Sequence, residues 1–305
     1  SGNNAITGTL TLGGATTVQS QAGNLTLNGV AGSGKNLTIG GSGNIAINGN
    51  INTGTGTLTK TGSGTLTLGA ANSFTGATTI DSGTLIATAN NVFNSSSTIS
   101  ISTGAVLSLN GTTNSVNSLN NSGTLDFGTS GSLTLLGSCT WAGTLAGSGT
   151  LYLNAGSSLT LGANFNDPNL NIVLNGGTLN LNGTRDTFGS LTINSTSIVD
   201  FGNGSNSTLT ISGVSISGTS TRLNVNNWTN LQDYLYSQSN PGQQGQAPLN
   251  QIVFSGYQTS MTRYSGGQIT PVPEPSTYAA AFAGLCIVAL GGRSYLQRRR
   301  QKVVS

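Results

Sequence analysis

The side chains able to do acid–base or nucleophilic chemistry are few and scattered. Carboxylates come from Asp81, Asp126, Asp167, Asp186, Asp200, Asp233 and Glu274, and histidine is absent. Cleaving a sugar chain needs two carboxylates, or a carboxylate with Lys or Arg, converging on one groove. Asp126 and Asp200 share a context, Leu-Asp-Phe-Gly and Val-Asp-Phe-Gly, that in a strand turns the aspartate outward and Phe127 or Phe201 inward. They lie 74 residues apart, which separates them by several repeats. Arg185 and Asp186 adjoin and are expected to form an ion pair in a loop. A His-based triad or metal site is excluded outright. Calcium loops of the glycine- and aspartate-rich kind need repeated aspartates that are missing. The glycine-rich string at 40–43 lacks the Lys-Ser/Thr ending of a phosphate loop. No catalytic, cofactor-binding or metal-ligating residue is assigned on this basis and no enzyme is expected. A carbohydrate-active lyase or hydrolase, or a polysaccharide-binding module, is the alternative.

The elements that carry these side chains are short strands. With 46 glycines and 6% charged residues the chain departs from globular norms, yet its leucines and isoleucines alternate with Thr, Ser and Asn. One phrase recurs, as in Gly8-Thr-Leu-Thr-Leu, Gly64-Thr-Leu-Thr-Leu and Gly177-Thr-Leu-Asn-Leu. Strand-starting apolar residues come in pairs seven or eight apart, such as Leu37 with Ile45 and Leu58 with Leu66, and successive pairs repeat at about twenty residues. A hairpin meander would not produce this second, longer period. The spacing predicts an all-β, right-handed parallel β-helix of about ten coils over residues 1–226, a rod near 50 Å long at about 4.8 Å per coil. Lys60 shares the inward parity of Leu58, so its strand is expected to end or bulge at Thr59 and leave Lys60 in a turn. Outward Thr-x-Thr pairs, among them Thr57 with Thr59 and Thr65 with Thr67, suggest a threonine ladder. Irregular coil lengths argue against the flat register that ice recognition needs.

Residues 227–268 read as a C-terminal cap. Leu231, Tyr234 and Leu235 have helical spacing, and residues 251–255 read as a last strand. Trp228 is expected to pack on the last coil rather than form a sugar platform. Cys139 is expected to be a small buried hydrophobe, unpaired with Cys286. The chain begins at Ser1 without a leader, as a fragment or processed form would.

Residues 269–305 change character. Pro271, Pro273 and Pro275 forbid a helix, an apolar stretch follows at 277–292, and a basic tail at 293–305 carries Arg293, Arg298, Arg299, Arg300 and Lys302. The apolar stretch predicts a single hydrophobic helix that reaches across a bilayer if Arg293 snorkels. The bases beyond it act as a stop-transfer signal that leaves the body outside. Five bases against seven acids leave the chain up to Gly292 at −2, and the tail raises it to +3. A near-neutral body with a basic tail is not a nucleic-acid binder.

These residues carry two resemblances. Pro273-Glu274-Pro275, the apolar stretch and the Arg-rich end together resemble the bacterial PEP-CTERM sorting segment. That resemblance implies export, transient anchoring in the inner membrane, processing by an exosortase, and release to the cell surface or extracellular matrix. Residues 60–87 resemble the autotransporter-associated β-strand repeat through Lys60, Gly62, Gly64, Thr65, Leu66, Leu68, Asn72, Phe74, Thr75, Gly76, Gly83, Thr84 and Leu85, with Ala70 departing from the usual glycine. The expected protein is therefore a non-enzymatic structural or adhesin-like surface protein. Its partners would be an exosortase, the membrane, and exopolysaccharide or other surface proteins, with no cofactor.

Overall fold

The computed structural model describes residues 2–202, 206–257 and 262–272. The Pro273-Glu274-Pro275 motif, the apolar stretch expected to be helical and the basic tail lie outside the described residues. Among those described, no helix is long and apolar enough to cross a membrane.

The body is a parallel β-helix, as the twenty-residue period predicts. Its strands fall into a 12-stranded and a 17-stranded sheet, and the larger one folds around a corner to supply two faces. Thr124–Leu135 shows the fold. Residues 124–126 pair with Val106–Ser108, whereas residues 132–135 pair with Thr113–Val116, with the bend between them. A coil therefore has three faces, and the pairs seven or eight apart in sequence are consecutive faces. The 41-residue step from Leu58 to Ile99 is two coils joined through Thr78. Twelve stacked strands on one face slightly exceed the expected ten coils.

Alternation explains the core. In Thr65–Leu68 the leucines are buried and the threonines half-buried, and Leu66 stacks between Ile45 and Leu85. Columns of this kind fill the interior from Leu12 to Ile269. Glycine is demanded where turns stack at strand spacing. A Cβ on Gly64 would lie 1.9 Å from the Gly43 carbonyl oxygen, and one on Gly62, at φ +70°, would lie 2.5 Å from that of Gly41. The recurring Gly-x-Gly thus reflects backbone lying directly on backbone at one corner.

Two local expectations are corrected. Lys60 is not a turn residue: the strand Leu58–Lys60 runs through it and stacks Lys60 between Ile39 and Ile80. Its stem lies in the core and its ammonium donates to the carbonyls of Thr61 (2.8 Å), Gly62 (2.8 Å) and Ser82 (3.1 Å) at the corner. A long side chain can bury its methylenes and still reach polar atoms at its tip. The helix expected from Leu231, Tyr234 and Leu235 also does not form. Leu231 sits exposed in a turn at φ +69°, and Tyr234–Ser237 is a strand stacked in parallel on residues 208–211. The alternation of Tyr234-Leu235-Tyr236 with a waiting parallel neighbour outweighs a helical spacing only five residues long.

The stack continues through Ile252–Phe254, which pairs with residues 223–225. An antiparallel hairpin, Thr262–Ser265 with Gln268–Pro271, then covers the open edge of Tyr234–Ser237. Trp228 is buried between Phe201 and Phe254 in two edge-to-face contacts with centroids at 5.0 and 4.8 Å, as expected of a residue packed on the last coils.

Candidate functional site

The acids do not converge. Asp81 is exposed, and the other five aspartates serve the backbone around them. Asp126 and Asp200 face outward beside buried Phe127 and Phe201, as their shared context predicts. Each accepts from the N–H two residues on, Gly128 or Gly202, at 2.8 Å; Asp126 also accepts from the Ser108 hydroxyl and Asp200 from the Asn227 amide. Asp167 accepts from the Asn169 N–H, and burial raises its pKa. Asp233 is fully buried and accepts the Ser207 N–H (2.9 Å) and the Thr229 N–H (2.6 Å); burial raises its pKa as well. Among the described residues no three His, Cys, Asp or Glu gather as a metal would require.

The ion pair expected between Arg185 and Asp186 is absent because both lie in one strand, which turns Arg185 outward and Asp186 into the core. Asp186 Oδ1 accepts the Phe165 N–H at 2.9 Å, and Oδ2 lies 2.6 Å from the Thr184 hydroxyl, which also reaches the Leu181 carbonyl. Burial pushes this carboxyl up to about 6 against the pull of those two donors. The arrangement duplicates one nearly four coils earlier. Leu109-Asn110-Gly111-Thr112-x-Asn114 and Leu181-Asn182-Gly183-Thr184-x-Asp186 share the turn, with positive φ at both Asn-Gly pairs. Asn114 accepts the Val92 N–H and donates to Thr112, whose hydroxyl donates to the Leu109 carbonyl. Asp186 thus occupies a carboxamide's place.

What the rod offers its surroundings is its outer side chains. On the 12-stranded sheet one outward column runs Thr17, Thr38, Thr59, Thr79, Ser100, Asn120, then Thr140, Thr160, Asn180, Asp200 and Asn226. Coil lengths along it vary from the 20 residues between Thr59 and Thr79 to the 29 between Val225 and Phe254, yet the pairing never slips. Register shifts fall in the other sheet, as between Asp126 and Gly131. Irregular coil length is therefore no argument against a regular face. The column does mix hydroxyls with amides after Thr79, so one hydroxyl geometry is not kept along its length. On the adjoining face asparagines chain from coil to coil: Asn24 donates to Asn3, Asn44 donates to Asn24, and Asn44 accepts the Thr65 N–H, all at 3.1–3.2 Å. A shallow trough of about 370 Å³ there is lined by Asn24, Thr26, Asn44, Thr65 and Thr67 among others, with no acid or base.

Aromatic side chains interrupt this polar surface near the C-terminal end. Tyr234 and Tyr236 project outward from one strand with ring centroids 5.8 Å apart and planes within 7°. Their i, i+2 spacing was legible as a strand signal and hidden by the competing helical one. Cys139 is buried, its thiol pushed up to about 11 by burial against the pull of the Leu119 N–H, so it is no nucleophile. No curated protein and no solved structure matches the chain. Residues 58–87 match the passenger-associated-transport-repeat family, the stretch in which Leu58 stacks on Thr78 and Leu66 on Leu85 as one coil passes into the next.

Proposed function

We propose that this chain is an exported, non-enzymatic protein of the cell surface or extracellular matrix, a β-helical rod with a structural or adhesin-like role. The observation that carries the reading is the division of labour among polar groups. Inward carboxylates are tied to backbone N–H groups of neighbouring coils, while outward positions form a long column of Thr, Ser and Asn in which Asp200 is the one carboxylate. Such a surface holds water and hydroxyl-rich partners through many weak hydrogen bonds and has no group poised for acid–base work. The match to a passenger-associated transport repeat supports a place outside the cell.

The tail completes the proposal. Pro273-Glu274-Pro275, with the apolar stretch and Arg293, Arg298, Arg299, Arg300 and Lys302, sorts the chain through the inner membrane to an exosortase that releases the body. The test is expression in a host with and without a matching exosortase, following the size and location of the body. Shortening and release only with the enzyme is the expected result. An intact tail retained in the membrane in its presence would overturn the sorting step, and a body that stays in the cytoplasm would overturn export.

A further inference from the structure

We infer that the outer face around Tyr234 and Tyr236 is a binding strip for an acidic polysaccharide, one whose sugars carry widely spaced carboxylates. This rests on the reading of the body as a matrix-facing rod and names its partner.

The strip follows from strand register. In the parallel stack Arg185 lies beside Thr208 and Thr208 beside Tyr234, while Thr187 lies beside Thr210 and Thr210 beside Tyr236. The antiparallel hairpin extends both rows. Tyr236 pairs with Gln268 and Leu235 with Ile269, so the next residues in that register, Tyr234 and Thr270, are neighbours, and Thr270 pairs with Arg263. One row therefore reads Arg185, Thr208, Tyr234, Thr270, Arg263, and all five point outward. Four strand spacings of about 4.8 Å set the two arginines about 19 Å apart along the axis.

Each part has a matching chemistry. Tyrosine rings give the C–H face of a pyranose a rigid apolar surface with little entropy to lose, which the surrounding Thr and Asn cannot do. Tyr234 is held by its hydroxyl, which donates to the Leu231 carbonyl at 3.1 Å. The hydroxyls of Thr208, Thr210 and Thr270 and the amide of Gln268 are the small donors and acceptors that sugar hydroxyls pair with. Arg185 and Arg263 are exposed at the two ends and present forks suited to carboxylates. The aspartates next to these strands do not cancel them, since Asp186 and Asp233 are buried. A nucleic acid fits less well. It carries a charge every few ångströms, and two arginines about 19 Å apart on a near-neutral body neutralise little of it.

The test is affinity electrophoresis of the full chain through gels containing hyaluronate, which carries a carboxylate on only every second sugar, with dextran as the neutral control and a single-stranded oligothymidylate as competitor. Retardation by hyaluronate alone, weakening as salt rises, is expected. Arg185→Gln with Arg263→Gln should weaken binding roughly tenfold, the worth of two exposed charge pairs. Tyr234→Ala with Tyr236→Ala should weaken it at least as much. Because Tyr236 lies against Gly267 of the hairpin, the tyrosine variant is accepted only with unchanged circular dichroism, and the exposed arginines carry the decision without it. No retardation, equal retardation in dextran, displacement by the oligonucleotide at lower concentration than by free hyaluronate, or full binding by the arginine variant would each overturn the inference. Binding in solution with failed export, or export without binding, separates this claim from the proposed function.

Discussion

Replacing Asp186 with asparagine should stabilise this protein, although it alters a fully buried carboxyl with good partners. The reason lies in hydrogen counting. Thr184 has one hydroxyl hydrogen and two acceptors in reach, the Leu181 carbonyl and Asp186 Oδ2. If Asp186 is ionised, one acceptor must go without; if it is neutral, its own proton bridges to Thr184 and the hydroxyl serves Leu181. The second arrangement is the one Asn114 and Thr112 make with Leu109. A carboxyl held at about 6 when folded, against an ordinary value of 3.8, binds its proton more tightly in the folded state. The stability it confers is complete below about pH 4 and is lost as pH rises through about 6; two pKa units amount to roughly 3 kcal/mol. Asp186→Asn keeps the donor at every pH. It should therefore match the parent near pH 4 and exceed it by up to about 3 kcal/mol near pH 8. Asp167 and Asp233 titrate in both proteins and drop out of the difference. Because a solenoid can open coil by coil, the sharpest assay is hydrogen exchange at the Phe165 amide, which is bonded to Asp186 Oδ1, supported by urea midpoints over the same pH range. A variant less stable than the parent at high pH, or a difference that does not grow with pH, would refute the reasoning.

The same substitution at Asp233 should do the opposite. Both of its oxygens accept backbone N–H groups, so an amide must turn a donor toward Ser207 or Thr229; a loss of about 1–3 kcal/mol is expected in urea melts at neutral pH. Lys60→Met keeps the buried stem and strips three carbonyls of their shared donor; it should cost about 3 kcal/mol and speed amide exchange in the coils holding Ile39 and Ile80. Burial lowers the Lys60 pKa, so the folded protein gives up this proton before the unfolded chain does, and the parent should gain stability over the variant as pH rises through that lowered value, visible as a widening difference in urea midpoint. Cys139 should resist alkylation in the folded protein near neutral pH and react only after denaturation, as mass spectrometry would show.

Much of this was readable from residue order, and the failures have a common cause. Alternating leucines and the twenty-residue period lead to the coils because parity and stacking are properties of every repeat. At Lys60 parity points inward and charge argues for a turn, and parity prevails. What a linear reading misses is that the corner beside Lys60 gathers carbonyls from two different coils, Gly62 and Ser82. Asp186 failed in the same way. Arg185 next to it offered a ready partner in sequence, whereas its actual partners, Phe165 and Thr184, come from the preceding coil and from its own turn. The shared Leu-Asn-Gly-Thr frame around Asn114 and Asp186 was the signal that could have placed it. The Tyr234 strip was hidden for another reason: its members span 185 to 270, and only register brings them into one row.

Regularity and irregularity are divided between faces, and this bears on where function resides. A one-residue slip in a strand would turn its core side chains to solvent, so any face that binds through a repeating column must hold register exactly coil by coil. The 12-stranded sheet does so, and its added residues are placed in the turns between faces, most of all between Val225 and Phe254. That same enlarged coil carries Tyr234 and Tyr236 and leads into the hairpin with Arg263. Of the arginines before the tail, all three, Arg185, Arg222 and Arg263, fall in this last part of the body, while the coils before it carry only Lys35 and the buried Lys60. Arg222, Arg263 and the two tyrosines thus come where coils lengthen, while Arg185 stands on a coil of ordinary length. A rod built this way can acquire a specific contact at one end without disturbing the stacking that makes it a rod.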